Sequence, residues 1–145
     1  MMRSFASAVI EAPVEKVWEA VRDFDALPVW HPAIASSEIE DGRDAASVGC
    51  VRRLELGDGG EVRERLVALD DVARSYTYEF VTSPFPVRSY RSTIHVVPVT
   101  ASGHSFVEWF ADFDADADVE AEMDKTFAQG VYATGLKGLA AHVAG

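Results

Sequence analysis

Hydrophobic and polar positions change period along the chain, and each change marks an element. Ser4 to Glu11 alternates and ends in Val9-Ile10, which predicts a first β-strand. Ala12-Pro13 then offers a proline at the first position of a helix, and Val14, Val17, Trp18 and Val21 recur at helical spacing until Asp23-Phe24-Asp25 closes it. The two prolines of Leu27-Pro28-Val29-Trp30-His31-Pro32 restrict the chain to a short second helix or turn. From Ile34 to Phe113 the chain reads as strands separated by turn signals: Asp41-Gly42, Gly57 to Gly60, Asp70-Asp71, Ser83 to Pro86 and Ala101 to Gly103. Six further strands in antiparallel meander order follow from that spacing. Between Val119 and Val143 the period returns to a helix: Val119, Met123, Phe127, Val131, Gly135 and Leu139 lie four apart, flanked by Ala128, Tyr132, Leu136 and Ala140.

The order β-α-α-β6-α excludes a parallel α/β fold, because only the first crossover contains helix, and predicts an α+β domain spanning residues 1–145. A seven-stranded antiparallel sheet must cover one face, and the long helix is the only large element able to do so. One helix about 10 Å across leaves space under a strongly curved sheet, so a cavity is expected there. Gly130, Gly135 and Gly138 in the helix each cost about 1 kcal/mol relative to alanine, which points either to close packing or to room for a ligand.

Side-chain parity then singles out polar residues on apolar faces. Val48, Cys50, Arg52, Leu54 and Leu56 share one face of a strand, and Val62, Glu64, Leu66 and Ala68 share one face of the next. A three-residue hairpin loop at Gly57-Asp58-Gly59 sets Leu56 opposite Gly60, and counting back pairs Arg52 with Glu64 on the inner face. Glu108 is expected inside as well, with Tyr76, Tyr78, Phe80, Tyr90, Phe106, Phe110 and Phe127 as inner aromatics, forming either core alone or core around a cavity. Val107, Trp109, Ala111 and Phe113 then form a second apolar face that is either covered by another element or meets a partner, which allows a homodimer.

Composition narrows the partners. With 145 residues, about half of them apolar, the chain can bury a real core, and a formal charge of -11 disfavours nucleic-acid backbones and anionic membrane surfaces. No stretch approaches the ~20 apolar residues of a membrane span. The single cysteine and the β-like start, in place of a signal-peptide run, suggest a cytoplasmic protein. His31, His95, His104 and His142 lack metal-ligand spacing, and His95 has outward parity; no metal or cofactor is expected. Cys50 reads as a small buried hydrophobe, and the alternating Asp112, Asp114, Asp116 and Asp118 as a solvated run near a helix N-terminus.

The ordered set A-P-V-E-K-V-W-E-A-V-R-D-F, L-P-V-W-H-P, V-G-C-V-R, E-R-L-V-A-L-D-D, Y-R-S-T-I, V-E-W and the final helix resembles the START-like, birch-pollen-allergen superfamily, in its bacterial polyketide cyclase/dehydrase-type branch. The resemblance spans nearly the whole chain. It implies the helix-grip fold: a curved sheet wrapped around the C-terminal helix, enclosing a pocket for hydrophobic ligands. The plant abscisic-acid receptors share the motif order, and by that similarity Glu64, Tyr90, Ser92 and Glu108 line the pocket with Leu56, Val62, Tyr78, Phe80, Phe85, Val87, Phe127, Val131 and Gly135. Gly57 to Gly60 and Ser83 to Pro86 fall where those receptors carry gate and latch loops. The first loop is shorter and lacks Gly-Leu-Pro, and Ala35 stands where a lysine meets the hormone carboxylate, so hormone sensing is disfavoured.

Two functions follow as expectations. A carrier or binding protein would take up a small hydrophobic or aromatic molecule, with Arg52, Glu64, Tyr90, Ser92 and Glu108 reading its polar groups. An enzyme of the cyclase, aromatase or dehydratase kind would use Glu64, Glu108 and Tyr90 to move protons, two glutamates in one apolar pocket raising at least one pKa. Against both stands a purely structural Arg52–Glu64 pair. A ligand-gated interaction protein is a third class, weakened by the short gate.

Overall fold

The computed structural model describes residues 1–144. Its elements are β1 (Met2–Ile10), α1 (Val14–Arg22), α2 (Leu27–Trp30), β2 (Ile34–Ile39), β3 (Val51–Leu56), β4 (Glu61–Asp70), β5 (Ser75–Thr82), β6 (Ser89–Val99) and β7 (His104–Asp114), closed by α3 (Ala117–Lys125), a π-helical stretch (Thr126–Ala133) and α4 (Thr134–Ala144). The last three run on without a break as one C-terminal helix. Seven antiparallel strands are ordered β1-β7-β6-β5-β4-β3-β2, a meander whose first strand closes onto the last. This is the expected α+β helix-grip architecture. Pro13 stands one residue before α1, at its N-cap, rather than at the first helical position.

The helix lies on the concave face of the sheet because its apolar stripe demands cover. Met123, Phe127, Tyr132, Leu136, Leu139 and Val143 are buried along it, while Lys125, Gln129, Lys137 and Ala141 face outward. Midway, the Thr134 backbone N–H reaches the Gln129 carbonyl five residues back, and the Thr134 hydroxyl donates to the same oxygen at 2.8 Å. Val131 contributes another carbonyl to the His31 ring, whose Nε2 lies 2.7 Å away. Side chains therefore hold the carbonyls that the wide turn leaves under-used.

Glycine serves packing at two of the three helix positions. A Cβ on Gly138 would lie 2.1 Å from the Trp30 carbonyl oxygen, and one on Gly135 would lie 2.6 Å from both His31 and Trp109. Gly130 has open space around it.

Strand parity departs from the sequence reading at three places. Val48 precedes β3 and is exposed. Ala68 is exposed because a register shift between Leu66 and Ala68 reverses the alternation, and Leu69 is partly buried in its place. The largest departure is β7: Ser105, Val107, Trp109, Ala111 and Phe113 face the helix, so Phe106, Glu108 and Phe110 lie on the convex side. The apolar face that suggested a homodimer is thus the one covered by the C-terminal helix. Among the described residues, no helix is long and apolar enough to cross a membrane, and no cluster of potential metal ligands occurs.

Candidate functional site

The inner surface of β3 and β4 carries one fully buried cation. Arg52 is directly opposite Glu64 in the ladder, as the hairpin count requires, because Gly57 to Gly59 form the loop and Leu56 N–H donates to the Gly60 carbonyl at 2.8 Å. Arg52 Nε donates to Glu64 Oε1 at 2.8 Å, and Nη2 lies 2.8 Å from the same oxygen without hydrogen-bond alignment. Nη1 donates to the Phe24 carbonyl at 2.9 Å. The guanidinium also lies 3.9 Å from the Phe24 ring centre and 4.8 Å from that of Tyr78. Such surroundings let a charge persist in the core.

The two partners of this pair differ in how burial acts on them. Burial raises the Glu64 carboxyl, against the Arg52 charge and hydrogen bond that lower it. Burial also works against the Arg52 cation, but the Glu64 charge and the neighbouring tyrosines hold its pKa above the ordinary arginine value. We take the pair as ionised at neutral pH, since a guanidinium does not surrender its proton and a lone buried cation costs more than the pair.

Glu64 borders a small, partly open chamber of about 40 Å³. Its Oε1 serves Arg52, whereas Oε2 makes no hydrogen bond among the described residues and is not fully buried, the Glu64 side chain being 7% exposed. Of the residues expected to line a pocket, Leu56, Val62, Tyr78 and Phe80 border this chamber with Glu64, and so do Phe85, Tyr90, Phe127 and Val131. Leu27, Ile34, Leu54 and Trp109 complete the wall.

Arg52, behind Glu64, does not border the chamber, and five further expected residues lie elsewhere. Glu108 is on the convex face, half-exposed, its Oε1 3.1 Å from His95 Nδ1 on the neighbouring strand. Phe110 lies on that face too, under the Arg3 guanidinium at 4.6 Å. Ser92 faces inward but donates its hydroxyl to the Phe110 carbonyl at 3.1 Å. Val87 borders a surface groove rather than the chamber, and Gly135 is packed against His31 and Trp109. The signal for the β7 face lies in the register: the turn at Ala101 to Gly103 sets Val99 against His104 and hence the outward His95 against Glu108.

Hydroxyls and ring nitrogens complete the polar inventory. Trp109 Nε1–H donates to the Tyr78 hydroxyl at 3.1 Å, and its ring lies 4.9 Å from that of Tyr132, tilted by 31°. The Tyr90 and Tyr132 hydroxyls share a hydrogen bond. Burial raises all three tyrosines well above the ordinary phenol value, so they remain neutral donors rather than proton acceptors. His31, given little weight from sequence, is buried and holds one tautomer: Ala33 N–H donates to Nδ1 at 3.1 Å, leaving Nε2–H to donate to the Val131 carbonyl. Burial lowers its pKa, and the Arg52 charge lowers it further.

A helix in the grip of a curved sheet, with one buried carboxylate facing an aromatic chamber, invites comparison with known proteins. A family profile described as polyketide cyclase / dehydrase and lipid transport matches residues 1–144. The chain belongs to this family. The protein XoxI from Bacillus cereus is 37% identical to this member of the polyketide cyclase/dehydrase and lipid transport family, with a TM-score of 0.87 over 99% of this chain and 96% of that one. The abscisic acid receptor PYL7 of Arabidopsis thaliana is 27% identical over 136 residues, covering 90% of this chain. The chain spans only 63% of that receptor's length. Major latex-like protein 151 of Panax ginseng shares the fold, with a TM-score of 0.79 over 97% of this chain and 96% of that chain, at 19% identity.

Proposed function

We propose that this member of the polyketide cyclase/dehydrase and lipid transport family binds a small, largely apolar or aromatic molecule in the chamber under the C-terminal helix. The observation that carries the reading is Glu64: a buried carboxylate with one oxygen fixed by Arg52 and the other unpaired at the wall of an aromatic chamber. Oε2 keeps some open space before it, so a donor can reach it, and the preferred ligand carries a hydroxyl or amine near one end. Apolar burial supplies the affinity, at about 25 cal/mol per Å².

Ligand pockets commonly measure about 300–1,000 Å³, whereas this chamber holds about 40 Å³. Binding therefore widens it, by rotation of wall side chains and displacement of the helix against the sheet. Arg52 and Glu64 are then positioning and recognition groups. The acid/base alternative rested on two glutamates in one cavity, and Glu108 lies on the other face of the sheet. A lone carboxylate tied to a guanidinium is better suited to accepting a hydrogen bond than to cycling a proton.

Native mass spectrometry of protein purified from its own cells tests the reading, together with the chain carrying Val131→Trp, which fills the chamber. A retained apolar or aromatic mass that Val131→Trp abolishes is the expected result. A mass retained equally by both chains, or no stabilisation of the wild type by any of a panel of phenols, anilines and fatty alcohols, would count against it.

A further inference from the structure

The pairing of β5 with β6 stops early. Its last register pair is Glu79 with Arg91, although β5 continues to Thr82 and β6 begins at Ser89. Beyond that pair Phe80 is held across to Glu64 on β4, and Tyr90 across to Phe113 on β7. The sheet is split at this end, and no main-chain ladder joins the two halves.

Aromatic rings fill the split. Phe80 and Tyr90 stack with centroids 3.7 Å apart and planes 5° from parallel, and Phe85 from the β5–β6 loop stacks on Phe80 at 5.9 Å and 22°. Phe80 and Tyr90 border the chamber, and both also border surface grooves of about 540 and 360 Å³. Phe80 and Tyr90 thus stand between the chamber and these grooves.

The two rings are secured unequally. Tyr90 is 6% exposed, its hydroxyl is hydrogen-bonded to Tyr132, and its ring lies 4.9 Å from Phe127. Phe80 is only partly buried, has no polar atom to anchor it, and sits beside the register shift between Arg63 and Glu64 in the β4–β5 pairing. Rotating the Phe80 side chain breaks no hydrogen bond.

We propose that the Phe80 ring is a displaceable plug, and that the slot it occupies against Tyr90 is the subsite for a flat aromatic ring of a ligand admitted through the split between β5 and β6. The proposal rests on the reading of the chamber as a ligand site. Because Phe80 is cross-strand from Glu64, a ring in the slot brings an amine or hydroxyl substituent towards the carboxylate. A slot matched to ring-on-ring stacking favours planar molecules over puckered saturated ones of similar volume.

The probe is 1-aminoanthracene, a flat amine whose fluorescence rises in apolar surroundings, followed by stopped-flow mixing, with 1-aminoadamantane as the puckered competitor. Phe80→Ala should associate at least tenfold faster than wild type, Phe80→Leu should fall between them, and Val29→Ala, exposed on α2, should match wild type. The adamantyl amine should compete at least tenfold more weakly than 1-aminonaphthalene. Far-UV circular dichroism verifies folding, and Phe80→Leu, which keeps apolar bulk, carries the comparison if the alanine variant does not fold. Association rates within twofold of wild type for the Phe80 variants, or equal competition by the two amines, would overturn the plug while leaving the binding reading in place. Absence of any fluorescence rise in all folded chains would remove both.

Discussion

Replacing Arg52 by methionine is the sharpest probe of the buried pair. The substitution keeps an unbranched, polarisable side chain in the space between Phe24, Tyr78 and Glu64, but removes the charge and both hydrogen bonds. Glu64 is then left in the core without a counter-charge, and breaking one side of such a pair costs about 3–5 kcal/mol. For a domain of this size that corresponds to a fall in melting temperature of roughly 6–20 °C. The double variant Arg52→Met/Glu64→Leu removes both charges and should return to within about 1 kcal/mol of wild type, because well-packed apolar replacements of buried ion pairs are often neutral. Urea denaturation followed by circular dichroism gives the numbers, provided the slope is unchanged. The single variant also acquires a pH signature. Without Arg52, burial raises the Glu64 pKa unopposed, so the folded chain binds the proton more tightly than the unfolded one. Its stability is then highest below about pH 4, near the unfolded glutamate value, and falls as pH rises through the raised folded value. If Arg52→Met costs less than about 1 kcal/mol, or if the double variant is no better than the single, the pair is not what holds Glu64 in place.

Three further outcomes are expected. His31 has a lowered pKa, so its contribution is present above the unfolded value of about 6.5 and is lost as pH falls towards the folded one; His31→Gln should flatten the stability profile over that window in thermal melts. Gly138→Ala should destabilise by about 1–3 kcal/mol through overpacking on the Trp30 carbonyl, whereas Gly130→Ala, with open space around it, should stabilise by up to about 1 kcal/mol, both read by denaturant midpoints. Glu108→Gln should change stability by less than about 0.5 kcal/mol and leave probe binding in the chamber unaltered, as befits a half-exposed residue on the far face; a tenfold loss of affinity would contradict its placement.

The order of elements was legible because each is announced by period and punctuation: Gly57 to Gly60, for instance, is both a composition signal and the count that pairs Arg52 with Glu64. The resemblance carried the helix-grip architecture further than periodicity could. Sequence faltered where both faces of a strand are apolar. In β7, Phe106 and Phe110 alternate with Val107, Trp109 and Ala111, so hydrophobicity alone cannot choose a side, and the choice needed the His95 register. Register shifts such as the one at Leu66 and Ala68 carry no strong local signal. The tautomer of His31 and the role of the Phe24 carbonyl arise only from tertiary contact, between groups as far apart as His31 and Val131.

The π-helical stretch of the C-terminal helix amounts to a surplus residue. An ordinary helix turns about 100° per residue, so accommodating one extra position without unwinding lets the segments before and after it keep their own faces on the sheet. Met123 and Phe127 on one side, and Leu136, Leu139 and Val143 on the other, are in phase only because the wide turn absorbs the difference. Deleting Gly130 and restoring regular winding would leave α3 and α4 on the same faces, with Leu139 still against the sheet, whereas regular winding with the surplus residue kept would swing α4 by about 100° relative to α3. In an alignment of relatives, a one-residue gap at this point would therefore mark a change in helix pitch rather than a shortened loop.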